Sequence, residues 1–101
     1  MSEVDVQIVK HDAGQVIGAP LIIKVDLDAS PEEEVLEDIM SNSEVVNISS
    51  EVESVTGEDI VAEIASAVVD VAKGDDSEVI VGRHRADGQN DDSAYWRVFI
   101  D

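Results

Sequence analysis

The chain predicts an α+β fold: an antiparallel sheet of about four to five strands with two helices packed on one face, in the order β-β-α-(β)-α-β-β. Three observations predict it. Residues 3–10 and 21–28 alternate apolar and polar side chains with a period of two, as half-buried strands do. Residues 56–74 are apolar around nearly a whole helical circumference. Two more apolar-rich runs, residues 78–85 and 94–100, follow that helix. Strand pairs flanking helices place the helices on one face of an antiparallel sheet.

The first strand presents Val4, Val6 and Ile8 on one face and Asp5 and Gln7 on the other. Residues 11–20, with two glycines and a proline, read as a loop or an open hairpin connection. The second strand turns Leu21, Ile23, Val25 and Leu27 to the core and Lys24, Asp26 and Asp28 to water. Ser30-Pro31-Glu32-Glu33 predicts a helix start with Ser30 as cap and Pro31 as first helical residue. That helix runs to about Ser41, with Val35, Leu36, Ile39 and Met40 as its apolar stripe. Residues 44–55 place Val46, Ile48 and Val52 in broken alternation, which reads as a short strand or an extended connection.

The long helix is expected from Thr56, whose hydroxyl can cap it, to Gly74, which can take the left-handed conformation that ends a helix. Asp59, Glu63, Ser66 and Asp70 form its narrow wet stripe. The last two strands form a hairpin across the polar loop 86–93. In the final strand Trp96, Val98 and Ile100 alternate against Tyr95, Arg97 and Phe99.

Length, 101 residues, predicts a single domain over 1–101. With no cysteine there is no disulfide and no thiolate metal site. The absence of a long apolar run argues against a membrane span, and the N-terminus lacks the basic-then-apolar pattern of a signal peptide. The expectation is a cytoplasmic or virion-associated protein with no membrane partner.

Charge is the strongest compositional signal: 24 acids against 6 lysines and arginines give −18. Such a surface repels bare nucleic acid and anionic membrane. Spread over the ~5,600 Å² that a chain of this mass exposes, the acids sit about 15 Å apart. That is about two Debye lengths at physiological salt and about five at 1 M, so self-repulsion should fade in brine. High acid content, scarce lysine and abundant valine and alanine resemble the composition of proteins from salt-loving archaea and their viruses. The likeness is compositional and no family motif accompanies it.

No catalytic or metal pattern stands out. Asp26, Asp28, Ser30, Glu32 and Glu37 follow calcium-loop spacing, but Pro31 occupies the place where that loop needs glycine. A strand-to-helix junction fits those residues better. Asp87, Gln89, Asp91 and Asp92 fit a solvated hairpin loop better than a cation site. His11 and His84 would need each other and an orienting carboxylate to act as a catalytic pair. No serine lies in a nucleophile elbow. The expectation is no enzyme, no cofactor and no metal.

The distinctive surface is the C-terminal hairpin. Residues 77–101 carry three arginines against five acids, a net −2, which leaves −16 upstream. All three aromatics, Tyr95, Trp96 and Phe99, also fall there. Arginine and aromatic side chains are enriched at protein interfaces. Arg83, Arg85, Tyr95, Arg97 and Phe99 are therefore the candidate binding residues, for a protein partner or for self-association into a homo-oligomer. The function expected is a salt-adapted, non-enzymatic assembly or interaction protein. The alternative is a DNA mimic that blocks a nucleic-acid enzyme, of the anti-restriction or anti-CRISPR type. That role requires most of the charge on one face, because B-DNA carries about 20 charges per 34 Å.

Overall fold

The computed structural model describes residues 3–56, 60–82 and 94–100. They form four strands and three helices: β1 Glu3–Asp12, β2 Gln15–Asp26, α1 Glu32–Ser41, α2 Ser43–Thr56, α3 Val61–Lys73, β3 Glu78–Val81 and β4 Tyr95–Ile100. The sheet is antiparallel throughout, in the order β2-β1-β4-β3. The α+β class, the β1–β2 pair and the β3–β4 pair follow the sequence expectation. The central pairing of β1 with β4, Val6 opposite Ile100 through His11 opposite Tyr95, joins the two hairpins.

Several expectations are corrected. Residues 44–55 are helical, so three helices cover the sheet instead of two, and no strand forms there. Val45, Ser49 and Val52 are buried and Ile48 is half-buried, which is helical spacing. Asn42 starts this helix: its Oδ1 accepts from the backbone N–H of Glu44 (2.9 Å) and Val45 (3.3 Å). Ser49 is tolerated inside because its hydroxyl donates to the Val45 carbonyl at 2.8 Å. Second, Thr56 is the last residue of α2 and does not cap α3, whose N-cap is Ile60 with no side-chain hydrogen bond. Third, Pro31, with φ −59° and ψ 151°, is itself the N-cap of α1, one residue later than expected.

The region 11–20 is mostly strand. A two-residue turn, Ala13 (φ 51°) and Gly14 (φ 80°), connects Asp12 to Gln15. Two positive φ angles match the right-handed twist of the flanking strands. The ladder shifts between Ile8 and Lys10, where β2 inserts Gly18, Ala19 and Pro20 opposite Val9. Proline is accepted here because β2 is an edge strand and the bulge frees its nitrogen from pairing.

One face of the sheet holds Val6, Ile8, Ile23, Val25, Val81, Trp96 and Val98, all buried in a single core with the helices. Helix α3 touches both other helices and β1, β3 and β4. Ile64, Ala65, Ala67, Val68, Val69 and Val71 are buried, while Glu63 and Ser66 are exposed and Asp70 is half-buried. Gly74 ends α3 in the left-handed region, φ 85°, as expected. Lys73 donates to Glu32 of α1 at 3.3 Å, and that hydrogen bond, followed by the attraction between the charges, holds its ammonium pKa above the ordinary value. Met40, expected on the core stripe of α1, is exposed, and Ile100 is 43 % exposed at the sheet's end.

Gly82 closes β3 against the one tryptophan. A Cβ at this position would lie 2.9 Å from two Trp96 ring carbons and 3.3 Å from Val52, and φ is +89°.

Ile64→Ala should cost about 2–5 kcal/mol in urea denaturation, through lost burial and a cavity. A cost below about 1 kcal/mol would make α3 peripheral. Gly82→Ala should cost about 1–3 kcal/mol, because the added methyl overpacks Trp96 in a strained backbone. An unchanged urea midpoint would show that the ring can move aside.

Candidate interaction surface

The helices cover one face of the sheet, and strand alternation turns a second set of side chains outward. Cross-strand pairing arranges them in rows. Ile22, Gln7, Phe99 and Glu78 lie in one row across β2-β1-β4-β3; Val9, Arg97 and Ile80 lie in the next; Val16, His11 and Tyr95 in a third. Tyr95, Arg97 and Phe99 thus share the helix-free face, opposite Trp96 and Val98. Arg83 and Arg85 lie outside the described residues.

The rows are locked by local contacts. His11 and Tyr95 stack with ring centroids 4.9 Å apart and planes 3° from parallel. The guanidinium of Arg97 lies over the Phe99 ring at 4.4 Å. Its Nε and Nη2 both donate to Glu78 Oε2, at 2.7 and 2.6 Å. That charge is therefore answered within the chain. Val9 is buried at 7 % exposure by its neighbours on this face, whereas Ile22 is 52 %, Ile80 40 % and Val16 58 % exposed. Ile22 and Ile80 belong to the surface as much as the C-terminal strand does, and Val9 forms the floor between them. Alternation within single strands does not single them out, although Ile22 stands out as an apolar residue at a position where β2's pattern calls for a polar one.

Charge is unevenly divided between the two sides. Helix α1 presents Glu32, Glu33, Glu34, Glu37 and Asp38, all exposed, and Glu44, Glu51, Glu53 and Glu63 continue the acid along α2 and α3. In the three rows of the open face the one acid is Glu78, paired with Arg97. At the far end of that face Lys24 pairs with Glu3 at 3.9 Å and stands opposite Asp5.

Among the described residues no group of three or more His, Asp and Glu side chains could hold a metal ion. Asp26 Oδ1, the first place of the calcium-like spacing, instead accepts from the backbone N–H of Asp28 and Ala29 in the turn before α1. The Nε2 of His11 is buried with no hydrogen-bond partner. Among the described residues no helix is long and apolar enough to cross a membrane.

No protein-family model, curated protein or solved structure matches this chain.

Phe99→Ser should leave the far-ultraviolet circular dichroism spectrum folded, because the ring lies outside the core that α3 organises. Loss of the spectrum at 25 °C would make Phe99 a structural residue.

Proposed function

We propose that this protein is a non-enzymatic interaction protein adapted to high salt, and that it binds a protein partner through its helix-free sheet face. One observation carries the reading. In a chain of net charge −18, the open face is apolar and aromatic through its central rows, and its one arginine there is neutralised internally. Exposed apolar patches rimmed by polar residues mark interaction sites. Tyr95, Arg97 and Phe99 form its C-terminal half, with Val9, Ile22 and Ile80 beside them. Salt adaptation accounts for the acid on the helices, where each carboxylate keeps water and hydrated cations at the surface.

The DNA-mimic reading draws on the same asymmetry, since the acids gather on the helical side. Their density argues against it. Helix α1 is about 15 Å long at 1.5 Å per residue, a length of B-DNA that carries about 9 charges. Glu32, Glu33, Glu34, Glu37 and Asp38 supply about half of that, and they point around the helix instead of along one side.

Two measurements test the proposal. The melting temperature should rise markedly between about 0.1 M and 2 M KCl as screening removes self-repulsion; a flat profile sinks the salt-adaptation half. A photoreactive phenylalanine analogue in place of Phe99 should give higher-mass adducts in an extract of the source cells, and the same analogue at Glu37 should not. Equal labelling from both positions, or none from position 99, sinks the contact-surface half.

A further inference from the structure

We infer that the occupant of the open face is a second copy of this chain, packed sheet against sheet about a two-fold axis. The inference rests on the contact-surface reading and adds the partner.

Charge decides between occupants. A basic partner would be drawn to the helices, where the acid lies. An acidic partner would need an available cation, and among the described residues of the central rows the one cation, Arg97, is bound to Glu78 through two nitrogens. What remains is a surface whose three central rows are largely apolar and aromatic, with Glu3, Asp5, Lys24 and Asp26 confined to one end, and the same rows of an identical chain complement it. Two-fold symmetry also solves the repulsion problem. Sheets packed face to face stand about 10 Å apart, which puts both acidic helical layers on the outside of the dimer, a further layer away from each other. That separation exceeds the Debye length of about 8 Å at physiological salt and far exceeds the about 3 Å at 1 M. Any docking through the helices would instead bring like charges together.

The sheet edges compete poorly for a second copy. On β2 the bulge at Gly18–Pro20 interrupts the ladder, Pro20 has no N–H to offer, and Lys24 guards the rest. On the other edge, β3 has only 4 residues. These are the devices by which edge strands avoid pairing with other chains, so the exposed apolar area belongs to the face.

Size places the contact at the small end of specific interfaces. At about 3.4 Å per residue and about 4.8 Å between strands, the four strands pave roughly 500 Å² in projection. Side-chain relief brings this to the low end of specific interfaces, about 600 Å² per partner. A dimer of that size forms at micromolar concentration or above, and more readily in brine, where repulsion is screened.

Sedimentation equilibrium of the full chain, alone and at concentrations up to several hundred micromolar, should show a monomer–dimer equilibrium that shifts toward dimer from 0.2 to 3 M KCl. Arg97→Glu with Phe99→Ser should weaken it about tenfold or more, the loss expected when a central anchor is removed. Because the chain has no cysteine, single cysteines report geometry without substituting the aromatic residues. Gln7→Cys, in the middle of the open face, should form disulfide dimers under mild oxidation in 3 M KCl, and Glu37→Cys on α1 should not. A chain that stays monomeric at every concentration and salt overturns the inference while leaving adducts to a different protein from position 99 intact. A dimer that cross-links through position 37 and not through position 7 overturns it as well.

Discussion

A helix that is apolar around most of its circumference needs other elements on most of its sides. In α3 the buried residues include Ile64, Ala65, Ala67, Val68, Val69 and Val71, which span far more than one stripe. A sheet alone could cover one side of such a helix. The remainder must come from other helices, and α1 and α2 supply it. Small side chains make this enclosure tight: alanine and valine let neighbouring backbones approach, and Val68 ends with no exposed surface. The three-helix layer, the commitment of one sheet face to it and the freedom of the other face all follow from that requirement.

The parts of the fold legible in the sequence are those where a pattern has one cause. Strict alternation located β1, the second half of β2 and β4, because a period of two has no helical interpretation. Gly74 was readable as the end of α3 because glycine takes the left-handed cap conformation at little cost. Residues 44–55 were not, because two causes compete there. Valine, isoleucine and serine favour extended or capped backbone locally, so Val46, Ile48 and Val52 look like a broken strand. The helical set is Val45, Ile48, Ser49 and Val52, and it contains a serine where the pattern calls for an apolar residue. Only the hydrogen bond from Ser49 to the Val45 carbonyl makes that position compatible with burial. The turn at Ala13-Gly14 hid itself too, since alanine seldom adopts a positive φ. Of the candidate surface, alternation placed Tyr95, Arg97 and Phe99 on one side. It could not place Val9, Ile22 and Ile80 beside them, because that depends on which strands are neighbours.

The few cations of the described residues sit where they join elements. Lys10 links β1 to Glu51 of α2, Lys24 links β2 to Glu3 of β1, Lys73 links α3 to Glu32 of α1, and Arg97 links β4 to Glu78 of β3. Exposed pairs of this kind contribute about 0–1 kcal/mol each and lose strength in salt. Their screening therefore works against the gain from reduced acid–acid repulsion. With 24 acids and 6 basic residues, the repulsive terms far outnumber the attractive ones, and the proposed salt adaptation rests on that imbalance.

The pairing of β1 with β4 has a consequence for how the molecule is made. Val6 lies opposite Ile100, so the centre of the sheet is stitched from strands near opposite ends of the described chain. During synthesis β1 and β2 can form their hairpin early, but the strand that completes the middle of the sheet is the last of the described strands to emerge. Closing so long a loop costs chain entropy before any of its contacts form, and topologies rich in such contacts fold slowly. Until then α3 has only part of its cover, and its apolar surface is open to chaperones and to other nascent chains. The dense carboxylates of α1 and α2 are already present at that stage, and in dilute salt their mutual repulsion keeps unfinished chains apart.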